Sequence, residues 1–98
     1  MIYLDYTANT PADPDVLDAY LAAERRYIAN PNSTHIAGQE ARAEMERVTQ
    51  SIAQHLGVQP AEIIYTSGAS EANNLALKGI AHASQHIGKH IISTPLEH

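Results

Sequence analysis

At 98 residues the chain has the length of one small domain, and its 44% hydrophobic and 17% charged content are those of a folded protein rather than a disordered one. A net charge of -5, with Arg25-Arg26 as the longest basic run, excludes a basic face for a nucleic-acid backbone. The absence of cysteine excludes disulfides, thiolate metal sites and cysteine nucleophiles within these residues.

In chain order, Met1 to Tyr6 lacks the basic region and apolar stretch of a signal peptide, and no apolar run approaches membrane-spanning length. No membrane association and a cytoplasmic location are therefore expected. Ile2-Tyr3-Leu4-Asp5-Tyr6 alternates apolar and polar residues, as a short strand or extended arm does. Thr7 to Ala12 is turn-like. Asp13-Pro14 is a helix start, because Asp can accept from free N–H groups and Pro suits the first helical position. Val16, Leu17, Tyr20 and Leu21 follow at helical spacing, which predicts a helix over about 14–27.

Asn30-Pro31-Asn32-Ser33 predicts a loop. From His35 to Leu56 a helical stripe of Ala41, Met45, Val48, Ile52 and Leu56 recurs, and Gly57 supplies the stop. A strand is predicted at about 62–66, a helix at about 69–83 and another strand over His90 to Thr94. Strand, helix and strand predict a right-handed βαβ unit, and parallel pairs of this kind normally belong to larger sheets. On this reading the chain is the opening portion of a larger α/β protein.

The informative stretch is Ile63 to Asn74, where a β-branched run meets Ser67-Gly68-Ala69-Ser70 and a helix opens with an acid in its first turn. Such a turn aims unpaired N–H groups and the positive end of the helix dipole at an anion, and a phosphate fits there. It also reads as a plain strand-to-helix connection with Ser70 as the cap. The pattern is neither that of a Walker loop nor that of a dinucleotide fold. The six histidines lack metal-ligand spacing, so no metal site is expected. His98 ends Ser93 to His98 just past the carboxyl end of a predicted strand, where catalytic groups of open α/β sheets gather. Leu96-Glu97-His98 is also what a vector junction leaves before a histidine tag, the lesser alternative.

Read together, Tyr3 to Pro11 (Tyr-Leu-Asp-Tyr-Thr-Ala-Asn-Thr-Pro), Asn30-Pro31-Asn32-Ser33-Thr34-His35, Gly38-Gln39-Glu40-Ala41-Arg42, Thr66 to Ala76 and Glu97-His98 resemble, in order, the motifs of the NifS-like cysteine desulfurases. These are class V aminotransferases of the fold-type-I pyridoxal-phosphate architecture. The resemblance implies an α/β fold: the N-terminal part of a fold-type-I transferase, with an extended N-terminal arm, two or three helices and a βαβ unit. Residues 1–13 would form the arm, a small-domain or active-site segment, and 14–98 the start of the large cofactor-binding domain.

By the same resemblance, Ala69 and Ser70 would hold the phosphate of pyridoxal 5'-phosphate, and His98 would stack over its ring and assist proton transfer. Thr7, Ala8 and Asn9 would lie near the substrate. Ser70 stands where the family usually has Thr, and Thr7 and Asn9 replace Ala and Thr, which bears on substrate preference. The family's activity takes sulfur from L-cysteine, leaving alanine and a persulfide on the enzyme, for iron–sulfur clusters and thio-cofactors. Its covalent lysine, its Asp partner for the ring nitrogen and its sulfur-accepting cysteine are expected beyond His98. Lys78 and Lys89 do not stand at the lysine position, so the 98 residues alone are expected to be inactive.

Selenocysteine lyase or another class V aminotransferase is the neighbouring alternative. A non-enzymatic truncated product that self-associates is the alternative of another class. Expected partners are a second copy, as a homodimer or higher oligomer with helices exchanged, and sulfur-acceptor or scaffold proteins, with no nucleic acid.

Overall fold

The computed structural model describes residues 1–96, arranged as two compact units, Met1–Ile63 and a second beginning at Ile64. Three α-helices form among the described residues: α1 (Pro14–Arg26), α2 (Ile36–Leu56) and α3 (Ala69–Ala83), with a 3-10 turn at Pro60–Glu62.

Helix boundaries follow local chemistry. The Asp13 carboxylate accepts from Asp15 N–H at 2.9 Å, and Pro14 occupies a first-turn position where its missing N–H leaves no bond unmade. Arg25 and Arg26 stand in the last turn, where the dipole favours positive charge. α2 ends at Gly57, whose φ of 69° and ψ of 30° are the left-handed values that glycine adopts without a Cβ clash. α3 ends at Ala83 with Ser84 as its C-cap, whose N–H donates to Ile80 O at 2.9 Å, and a turn follows in which Ser84 O accepts from Ile87 N–H at 2.9 Å and Gly88 N–H at 3.1 Å.

In the first unit the packing centres on α2. Gly38, Ala41 and Ala53 are its buried positions, all small, and Ala53 is 1% exposed. α2 packs against the 3-10 turn Pro60–Glu62, and Val58 N–H returns to Ala53 O at 3.0 Å. At the other end the Asn30–Thr34 loop folds onto the first turns of α2. Ser33 N–H donates to Asn30 O (2.9 Å), Gln39 Nε2 to Thr34 O (2.8 Å) and Arg42 Nε to Pro31 O (2.9 Å).

No strand forms among the described residues, so the βαβ unit is not shown there: α3 lies between segments 63–66 and 88–94 that carry no regular structure. Residues 60–62 wind into the 3-10 turn, and Ile63 is extended at φ -87° and ψ 119° with no ladder partner. Extended dihedrals are a property of the residue, but a strand also needs a neighbour to take its N–H and C=O groups. Residues 6–8 form a turn, and residues 90–94 carry no regular structure. No helix of the described residues is long and apolar enough to cross a membrane.

Candidate functional site

The turn that opens α3 is built from four residues. Gly68 is the N-cap, with φ 166° and ψ -177°, an extended conformation open to any residue, and it has no side chain to accept from the helix. Nothing lies within 4 Å of where a Cβ on Gly68 would stand. The first helical hydrogen bond runs from Ala72 N–H to Gly68 O at 3.1 Å. The N–H groups of Ala69, Ser70 and Glu71 precede it and have no carbonyl four residues back within the helix to take them.

The Glu71 carboxylate folds back to Ser67 rather than onto those groups. Its Oε2 accepts from Ser67 N–H at 2.8 Å and from Ser67 Oγ–H at 2.6 Å. These bonds hold the Glu71 carboxyl below the usual carboxylate range, the hydroxyl contributing most and the backbone N–H next. Thr66 Oγ1–H donates to Gly68 O at 3.1 Å, and Asn74 Nδ2–H donates to Ser70 O at 2.8 Å. The Ser70 hydroxyl has no hydrogen-bond partner among the described residues.

The reading of Ser70 as the helix cap is therefore corrected. Ser70 lies two positions inside the helix, beyond Gly68, and its oxygen is not engaged by the helix's own N–H groups. A ring of helix-end N–H groups plus an unpartnered hydroxyl matches the oxygen acceptors of a phosphate ester. By that test Ala69 and Ser70 fit the phosphate of pyridoxal 5'-phosphate. Both residues are exposed.

Thr7, Ala8 and Asn9 come together in a separate turn of the first unit. Ala8 N–H and Asn9 N–H both donate to Asp5 O at 3.2 Å. The Tyr3 hydroxyl lies 3.0 Å from Asp5 O and 2.9 Å from Asn9 O, so it bridges the ends of the turn. Thr10 Oγ1–H closes onto Tyr6 O at 3.0 Å, and the Tyr3 and Tyr6 rings meet edge to face at 5.3 Å. His98, the remaining expected site residue, lies outside the described residues.

One contributor was not singled out from the sequence, Glu71 as the holder of the α3 turn, and the loop-and-cap reading of Asn30 to His35 did not say that His35 is the capping residue. The signal for Glu71 was its spacing from Ser67, a capping box displaced by one residue. That for His35 was its place immediately before the helical stripe, although imidazole is not among the usual capping groups.

The profile described as aminotransferase class-V matches residues 2–98. The chain is 49% identical over 98 residues to a cysteine desulfurase of Homo sapiens, covering 99% of this chain and 21% of that protein. It is 42% identical over 97 residues to cysteine desulfurase IscS of Dictyoglomus turgidum, covering 99% and 25%, respectively. To the mitochondrial cysteine desulfurase of Arabidopsis thaliana it is 43% identical over 98 residues, covering 99% and 22%. The chain thus spans between a fifth and a quarter of the length of these curated relatives. With the match running over residues 2–98, the chain belongs to the class-V aminotransferase family.

Proposed function

We infer that the chain works as the phosphate-gripping part of a pyridoxal-phosphate-dependent cysteine desulfurase. The observation that carries this reading is the α3 turn: free N–H groups and the Ser70 hydroxyl, in a chain 49% identical throughout to a protein of that name. Ala69 and Ser70 would bind the phosphate, and Glu71 would hold Ser67 and so the shape of the turn. The cofactor, once bound, supplies the electron sink for breaking the carbon–sulfur bond of L-cysteine. His98 is proposed to stack on its ring and move a proton, as an imidazole can near neutral pH. Thr7, Ala8 and Asn9 are proposed to border the substrate.

The proposed architecture completes the βαβ unit with neighbouring strands of a fold-type-I sheet, residues 1–13 forming the arm and 14–98 the start of the large domain. The proposal includes self-association and sulfur delivery for iron–sulfur clusters. Its location is the cytoplasm, as opposed to the mitochondria named for the relatives of Drosophila and Arabidopsis. Cysteine desulfurase is favoured over selenocysteine lyase because the relatives from human, Dictyoglomus and Arabidopsis all carry the former name.

A chimera tests the reading. The 98 residues replace the matching segment of the Dictyoglomus IscS, and pyridoxal-phosphate absorbance and alanine release from L-cysteine are measured. Retention of both is expected, with Ser70→Ala weakening cofactor retention several-fold. A folded chimera that binds cofactor but releases no alanine would overturn the desulfurase reading.

A further inference from the structure

α2 carries a histidine at each end, and the two rings need their protons on opposite nitrogens. At the N-terminus Gly38 N–H donates to His35 Nδ1 at 3.2 Å, so this nitrogen must be bare and the neutral ring holds its proton on Nε2. In the last turn His55 Nδ1 lies 2.7 Å from Ser51 O, and a carbonyl oxygen only accepts, so this nitrogen must carry the proton.

A second proton acts oppositely at the two ends. On His35 it turns an N–H against the Gly38 N–H and sets a positive charge at the positive end of the helix dipole. On His55 it leaves the bond to Ser51 O intact and sets a positive charge at the negative end. The Asn30–Thr34 loop is fastened to the His35 end through Thr34 O and Pro31 O, so it follows that end.

The loop has no ionisable side chain, and between Val48 and Leu56 His55 is the only one. Glu40 and Arg42 are the nearest charged residues beyond His35 on α2, and Arg42 Nε is given to Pro31 O. The 3-10 turn packed against α2 brings Glu62, whose carboxylate accepts from Gln59 N–H at 2.7 Å. Among the described residues neither histidine enters an ion pair.

We propose that α2 is a proton-responsive helix: acidification through the imidazole range releases its first turn and the Asn30–Thr34 loop while holding its last turn more firmly. Imidazoles change charge between about pH 5 and 8. Nitrogen-15 NMR of the 98-residue chain across that range is the test. At pH 8 the ring shifts should show Nε2–H at His35 and Nδ1–H at His55. On acidification the Gly38 amide should move in step with the His35 ring, and its exchange protection should fall about fivefold, the worth of a lost cap. His35→Asn replaces the ring nitrogen with an amide oxygen acceptor that does not titrate, and should make Gly38 independent of pH with the turn intact. His35→Ala should lower protection at every pH. Nδ1–H on His35 at pH 8, or a Gly38 amide that ignores the His35 titration, would overturn the proposal.

Discussion

Single atoms decide what Gly38 can be. A Cβ there would stand 2.5 Å from Ser33 O, 2.8 Å from Ser33 Cβ and 2.9 Å from Asn30 O. Two of these are backbone oxygens, which no rotamer change can move aside. Alanine improves helix propensity by about 1 kcal/mol, but overpacking at a closed site costs about 1–3 kcal/mol. The clash wins, so Gly38→Ala should weaken α2 and displace the loop, read as lost helicity by circular dichroism and shifted Ser33 and Thr34 amides. Glu71 makes a residue-scale prediction in pH. Its folded carboxyl is held below the ordinary range, chiefly by the Ser67 hydroxyl, so its support of the turn is present above the ordinary carboxylate range. That support is lost as pH falls through the lowered value. Titration should show the Ser67 amide moving below the pH at which a free glutamate titrates, and Glu71→Gln should abolish that movement.

Whole elements differ in how far the sequence alone reveals them. The helices were legible to within a residue or so because their signals are local: Asp13-Pro14 at one start, Gly57 at one stop, and apolar residues at helical spacing between. The turn that opens α3 was legible as a helix start for the same reason, and its phosphate role belongs to the proposal. Strand pairing is not legible in the same way, because alternation specifies a face while pairing depends on another segment. Ile63 takes extended dihedrals without a ladder, which separates the two requirements in one residue. Gly79 gives a prediction at this scale. It sits inside α3 with nothing within 4 Å of where a Cβ would stand, so alanine meets no obstacle there. Gly79→Ala should stabilise α3 by about 1 kcal/mol, measured as raised helicity of the 98-residue chain. The same change in the chimera should be costly if the proposed sheet packs on that face, since the space would then be filled.

For the molecule as a whole, the question is what covers its apolar stripes. The buried hydrophobic residues among those described are Ala41 and Ala53, whereas Leu17, Leu56 and Ile80 are 50%, 65% and 66% exposed. Fully burying one such large side chain is worth about 1.5–3 kcal/mol, so several stripes together hold a large unrealised driving force. Two alanines cannot offset the entropy of ordering a chain of this length. In a protein as long as the curated relatives, the other three quarters or more of the sequence is available to cover these faces. In the 98-residue chain a second copy is the available cover. Sedimentation equilibrium should therefore give a mass above the 10.6 kDa of one chain, rising with concentration, and helicity should melt at a temperature that rises with concentration too. A species that stays monomeric and unfolds in one sharp, concentration-independent transition would show that the stripes are stable facing water, and the self-association proposal would fall with it.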